Sequence, residues 1–61
     1  MQEYETLKRL VAEAEDDVNK ANGGNKAAGT RVRKKMQEIK SAAQDVRKKV
    51  LEGRETEPGP A

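Results

Sequence analysis

The residues best suited to chemistry are basic side chains in the second half of the chain. Four of them recur every seven residues: Lys26, Arg33, Lys40 and Arg47. Seven helical residues rise about 10.5 Å, so on a helix these cations follow one face for about 30 Å. Such a stripe can bind a run of phosphates electrostatically, and its arginines can grip phosphate bidentately. Alternatively, all four residues occupy flanking positions of a coiled helix, where charged residues merely keep the surface solvated.

Other basic residues surround the start of this stripe. Residues 23–36, GGNKAAGTRVRKKM, combine a glycine turn with five basic side chains. A short basic run is weak evidence by itself, but few acidic residues oppose this one. The side chains that we expect to contact DNA are Lys26, Arg31, Arg33, Lys34, Lys40, Arg47 and Lys48.

The net charge of +2 hides an uneven distribution. Residues 1–22 carry three basic and six acidic side chains, whereas residues 23–52 carry nine basic and three acidic ones. An acidic half followed by a basic half indicates internal charge pairing, nucleic-acid binding, or both.

The composition does not favour catalysis or metal binding. The chain has no cysteine and no histidine, so the usual zinc ligands and the commonest catalytic base are missing. The acidic run consists of Glu13, Glu15, Asp16 and Asp17; these residues are spread around a helix and lack the glycine-containing loop of calcium sites. We therefore expect no enzymatic activity, no cofactor, no metal and no small-molecule substrate.

Hydrophobic segments are too short to cross a membrane. The longest apolar run, LVA at residues 10–12, is far below the roughly 18 residues of a membrane span. No signal-peptide pattern opens the chain. We expect a cytoplasmic protein with no membrane partner.

Two heptad patterns, in which apolar residues alternate steps of three and four, predict two helices. The first helix is expected at about 2–22 and the second at about 26–52, separated by a turn at 23–25; residues 53–61 are expected to be a disordered tail. Gly23 is suited to a left-handed helix end and Asn25 to capping the next helix. The predicted seams are Tyr4, Leu7, Val11, Ala14, Val18 and Ala21 in the first helix, and Val32, Met36, Ile39, Ala43, Val46 and Val50 in the second.

The short turn makes the helices antiparallel neighbours, so the predicted fold is all-α, a coiled-coil-like two-helix hairpin. Pairing the seams places Asp17 opposite Lys35 and Glu15 opposite Arg33. It also leaves Leu10 and Ala42 together on a neutralised flank, away from the basic stripe.

The hairpin is too small to bury a self-sufficient core, so we expect a homodimer that forms a four-helix bundle. The flank containing Leu10 is the expected contact. The residues predicted at the dimer interface are Leu7, Leu10, Val11, Met36, Ile39 and Ala42.

Residues 24–35, GNKAAGTRVRKK, resemble the amino-terminal region of the linker-histone-like nucleoid proteins of chlamydiae and related bacteria. The resemblance extends over about residues 3–52. It implies a small protein of the bacterial nucleoid that binds and compacts DNA, with Lys26, Arg31 and Arg33 at the matching positions. Those proteins carry a long lysine- and alanine-rich tail, whereas this chain ends in RETEPGPA. We expect either weak DNA binding by the hairpin itself, or dimerisation while a partner or a tail supplies the binding.

Two functions therefore remain open. The first is a homodimeric histone-like protein that binds the DNA phosphate backbone without sequence preference. The second is a helical oligomerisation or protein-interaction module whose basic face only solvates it.

Overall fold

The computed structural model describes residues 1–53 of the chain. They form two α-helices, α1 (Gln2–Asn22) and α2 (Lys26–Gly53), and no strand occurs within this range. The helices pack against each other along their length. They are the two helices predicted from the heptad spacing. The predicted tail lies outside the described residues, except that Gly53 is the last residue of α2.

A tight turn reverses the chain between the helices. The Gly23 N–H donates to the carbonyl oxygens of Asn19 and Lys20 at 3.2 and 3.1 Å, which closes the end of α1. Gly24, not Gly23 as predicted, takes the left-handed conformation, with φ of +97° against −83° at Gly23. Because a side chain is strained at such a φ, the turn needs glycine at position 24.

Asn25 starts the second helix as an amino-terminal cap. Its Oδ1 accepts a hydrogen bond from the Ala28 N–H at 2.9 Å, which satisfies one of the free amides of the first turn. This confirms the capping role predicted for Asn25. The cap sets the residue at which α2 begins, and thereby the helical turn on which each basic residue lies.

Small residues form the centre of the contact between the helices. Ala14, Ala28 and Ala42 are the buried residues of the described range, and Ala28 is fully covered. The half-buried positions around them again alternate steps of three and four. The side that each helix presents to the other includes Leu7, Leu10, Ala14, Asp17 and Ala21 in α1, and Ala28, Val32, Lys35, Ile39, Ala42 and Val46 in α2.

This packing corrects the predicted seams, of which only part lies inside the hairpin. Leu7, Ala14 and Ala21 face α2 as expected, but the exposed fraction is 50% for Tyr4, 52% for Val11 and 41% for Val18. Met36, Ala43 and Val50 of α2 are exposed as well. Each helix carries an apolar stripe wider than one partner helix can cover. The hairpin buries the side with the small residues, because alanine lets the two backbones approach closely.

The flank expected to hold the dimer contact is also corrected. Ala42 is only 6% exposed and Leu10 is half-buried, because both pack between the helices of a single hairpin. Ala42 therefore offers almost no surface to a second chain, and Leu10 offers only part of its side chain. The larger apolar residues on the opposite flank of the hairpin are the ones left uncovered.

Candidate nucleic-acid interface

One flank of the hairpin is neutralised by ion pairs between the helices; we call it the ion-paired flank, formed by Glu13, Asp17, Arg31 and Lys35. The Arg31 guanidinium donates to both Asp17 carboxylate oxygens, at 2.9 to 3.1 Å. The Lys35 Nζ lies 3.1 Å from Glu13 Oε1. The predicted pairing of Asp17 with Lys35 is therefore wrong by one helical turn. The rotated seam places Arg31, four residues earlier, next to Asp17.

The bidentate ion pair ties the Arg31 side chain to Asp17 of α1. Its hydrogen bonds lower the pKa of Asp17, and the same contact raises the pKa of Arg31. Both groups therefore stay charged and satisfied by each other at neutral pH. Of the seven predicted DNA-contact residues, Arg31 is the one whose charge is already used within the hairpin.

The other six predicted contact residues are exposed and form no ion pair with any residue in the range 1–53. Heptad spacing puts four of them on one edge of α2. We call these four, Lys26, Arg33, Lys40 and Arg47, the basic stripe. The structure separates Lys34 and Lys48 from this stripe. Lys34 lines a groove with Glu13 and Asp17 on the ion-paired flank, and Lys48 lines another with Glu3 and Glu52.

Nothing within α2 neutralises the basic stripe. On a helix, side chains three and four residues apart are neighbours. At these distances within α2, every neighbour of the four stripe residues is uncharged. The neighbours are Gly29, Thr30, Met36, Gln37, Ala43, Gln44, Val50 and Leu51. Lys34, by contrast, has Glu38 four residues away, and Lys48 lies between Asp45 and Glu52. The spacing to acidic residues is a signal readable from sequence that separates these two lysines from the stripe.

Glu15 of α1, the predicted partner of the stripe, does not neutralise it either. Glu15 was expected opposite Arg33, but no ion pair joins them at 4.0 Å or less. Arg33 therefore remains available, together with Lys26, Lys40 and Arg47. Their arrangement suits an extended polyanion better than a small ligand.

An exposed apolar surface borders the basic stripe. We call it the apolar flank: Tyr4, Val11 and Val18 of α1 with Met36, Ala43 and Val50 of α2. Its middle is a groove lined by Val11, Ala12, Ala14, Glu15, Val18, Met36 and Ile39. Met36 follows Arg33 by three residues and Val50 follows Arg47 by three, so the stripe and the flank are neighbours on α2. The heptad seams assigned these residues to the hairpin core, although Val11 and Met36 were also predicted at the dimer interface.

Residues 1–53 contain neither a metal-binding cluster nor a membrane-spanning helix. No group of three or more acidic, histidine or cysteine side chains could hold a metal ion there. Neither α1 nor α2 is long and apolar enough to cross a membrane.

The basic stripe and the apolar flank both lie in the part of the chain that matches a known protein family. The family model described as histone H1-like protein Hc1 matches residues 1–56, which include the basic stripe and the apolar flank. No curated protein and no solved structure matches the chain. The family consists of DNA-packaging proteins without enzymatic activity. Because the match covers most of the chain, the protein belongs to the histone H1-like protein Hc1 family of nucleoid DNA-binding proteins.

Proposed function

We propose that the protein binds duplex DNA without sequence preference through the basic stripe. The observation that carries this proposal is the stripe itself: four exposed cations along about 30 Å of one helix edge, with no ion pair inside the described hairpin. Duplex DNA presents one negative charge per about 1.7 Å of its axis. A regular row of Lys and Arg can follow that charge without reading bases, because phosphate contacts carry no direct sequence information.

The other basic residues contribute less in this proposal. Arg31 is held by Asp17, and Lys34 and Lys48 each have an acidic side chain three or four residues away. DNA phosphates would have to compete with these carboxylates. The stripe residues face no such competition from their helical neighbours. As a packaging protein of the bacterial nucleoid, the chain would act in the cytoplasm.

We further propose that the hairpin functions as a homodimer in a four-helix bundle. The buried residues of the described range are all alanines, while larger side chains such as Val11 and Met36 are 52% and 41% exposed. Covering a large apolar side chain contributes about 1.5 to 3 kcal/mol. A second hairpin that covers these residues would supply the burial that one hairpin lacks.

Gel-shift titration of two unrelated duplexes at 50 and 200 mM salt tests the DNA-binding proposal. Each phosphate contact contributes about −0.9 to the slope of log affinity against log salt, so four contacts per hairpin predict a fall of about 100-fold between these concentrations. Both duplexes are expected to bind equally well. Absence of a shift at 50 mM salt, or a strong preference for one sequence, would contradict the proposal.

The second candidate function is a helical oligomerisation or protein-interaction module, and the exposed apolar flank favours it. In that case the hairpin associates through the flank, and the stripe only solvates α2. A wild-type protein that forms oligomers but does not bind duplex DNA at low salt would establish this reading.

A further inference from the structure

We infer that the apolar flank docks a second copy of the chain with α1 of one protomer against α2 of the other. The two basic stripes then lie on opposite edges of the four-helix bundle. The docking itself follows from the shape and charge of the hairpin. Its consequence, that one dimer bridges two DNA duplexes, rests on the proposed DNA binding.

The apolar flank has the features of a self-complementary interface. Its residues recur at heptad spacing on both helices, at positions 4, 11 and 18 and at positions 36, 43 and 50. Its central groove is apolar apart from Glu15 at the edge. Two copies related by a two-fold axis would place the same patch against itself, with a heptad pattern on both sides.

Charge at the two rims of the flank decides how the copies face each other. The rim on α2 carries Arg33, Lys40 and Arg47, with no acidic residue among their helical neighbours. The rim on α1 carries Lys8 and Glu15. Packing α2 against the partner's α2 would line one seam with cations alone, and like charges that face each other are unfavourable. Packing α1 against the partner's α2 instead brings Glu15 to a basic rim.

The levels of the residues along the bundle support this pairing. In the hairpin, Asp17 meets Arg31 and Glu13 meets Lys35, so Glu15 is level with Arg33. A two-fold axis parallel to the helices keeps every residue at its level. Glu15 then faces the partner's Arg33 across the new interface. Lys8 comes level with the partner's Lys40, but Glu5 pairs with Lys8 at 3.1 Å and offsets its charge. The pair that sequence reasoning placed within one hairpin becomes a contact between two.

This arrangement gives the dimer two separate DNA surfaces. Each stripe follows the edge of its own α2, and the two-fold axis carries the partner's stripe to the far edge of the bundle. Two duplexes can then be held at once. The rejected arrangement, with α2 against the partner's α2, would merge the stripes into one broader site for a single duplex.

Adjacent substitutions on α2 test the docking surface. Met36→Lys puts a charge into the flank, whereas Gln37→Lys adds the same charge on the outer face about 100° away. Both positions are exposed in the hairpin, and Met, Gln and Lys have similar helix propensities, so helix content should not change. Sedimentation gives the oligomeric state, and a second readout is the capture of a labelled duplex by an immobilised one.

We expect the wild type and Gln37→Lys to be dimers that capture the second duplex. Met36→Lys is expected to be a monomer that still shifts a single duplex at low salt, with capture reduced at least about tenfold. A dimeric Met36→Lys, undiminished capture, or a monomeric wild type would overturn the inference. A dimeric wild type that binds no DNA would overturn the proposed function and leave the docking intact.

Disulfide trapping tests the arrangement independently, since the chain has no cysteine of its own. Val11→Cys lies on α1 and Met36→Cys lies on α2, and both positions line the same groove. We expect a covalent dimer when the two variants are mixed and oxidised, because Val11 then meets the partner's Met36. Rapid cross-linking of either variant alone, without preference for the mixture, would show like helices in contact and overturn the arrangement.

Discussion

Replacing Arg33 and Lys40 together by glutamine is expected to weaken binding to duplex DNA on the order of 100-fold at 50 mM salt. Each lost phosphate contact removes a factor of about 15 at this concentration, and it lowers the steepness of the salt dependence by about 0.9. The double variant should therefore show a log slope that is shallower by about two. Gel-shift titrations at several salt concentrations measure both quantities.

The matched control removes two positive charges of the same types from α1. Arg9→Gln with Lys20→Gln also loses one arginine and one lysine from exposed positions, but neither residue belongs to the basic stripe. We expect its affinity to stay within about threefold of the wild type, because salt screens charges that do not touch the phosphates. Equal losses in the two double variants would mean that net charge, and not the stripe, determines binding.

Replacing Ala28 by leucine is expected to destabilise the hairpin by about 1 to 3 kcal/mol, because a larger side chain must fit into a position with no exposed surface. Ala28 lies in the first turn of α2, where its amide is held by Asn25. A larger residue there would push the helices apart next to the turn. In a domain of this size the loss corresponds to about 5 to 20 °C in the melting temperature, measured by circular dichroism.

The neighbouring Ala27 provides the control. It is exposed, so Ala27→Leu adds the same atoms without crowding the helix contact. Leucine and alanine are both good helix formers, and the control should melt within a few degrees of the wild type. A variant Ala28→Leu that melts like Ala27→Leu would show that the helices do not pack closely at this point.

The helices and their turn could be predicted because their signals are local. Regular steps of three and four stop at Asn22 and resume after Asn25, and two glycines lie between. A cap such as Asn25 acts on amides within its own first turn, so its role is visible in the sequence. These signals fix where the helices begin and end, but they do not fix the rotation of one helix against the other.

That rotation could not be read from the spacing. Val11 and Leu10 both belong to patterns with steps of three and four on α1, but only the pattern through Val11 is apolar at every position. The hairpin instead packs on Ala14, Ala28 and Ala42, since small residues permit the closer approach. Burying the small side leaves the larger residues for another contact.

The same rotation determines which of the predicted DNA-contact residues are ion-paired. Arg31 stays exposed but is ion-paired, because the rotated seam brings it next to Asp17. Arg33 and Lys40 lie on an edge of α2 that forms no ion pair with α1, so the predicted contact of Arg33 with Glu15 is not made. The division between the stripe and Lys34 depends instead on Glu38, whose position along α2 is visible in the sequence.

Lysine footprinting of the wild-type protein is the most direct test of the claim that the basic stripe contacts DNA. Acylation rates are measured with and without saturating duplex DNA at low salt. We predict protection of Lys26 and Lys40, which belong to the stripe, while Lys20 and Lys49 react as in the free protein. Lys20 and Lys49 are exposed on other faces of the hairpin and serve as internal references. Protection of Lys20 and Lys49 that equals or exceeds that of Lys26 and Lys40 would contradict the account.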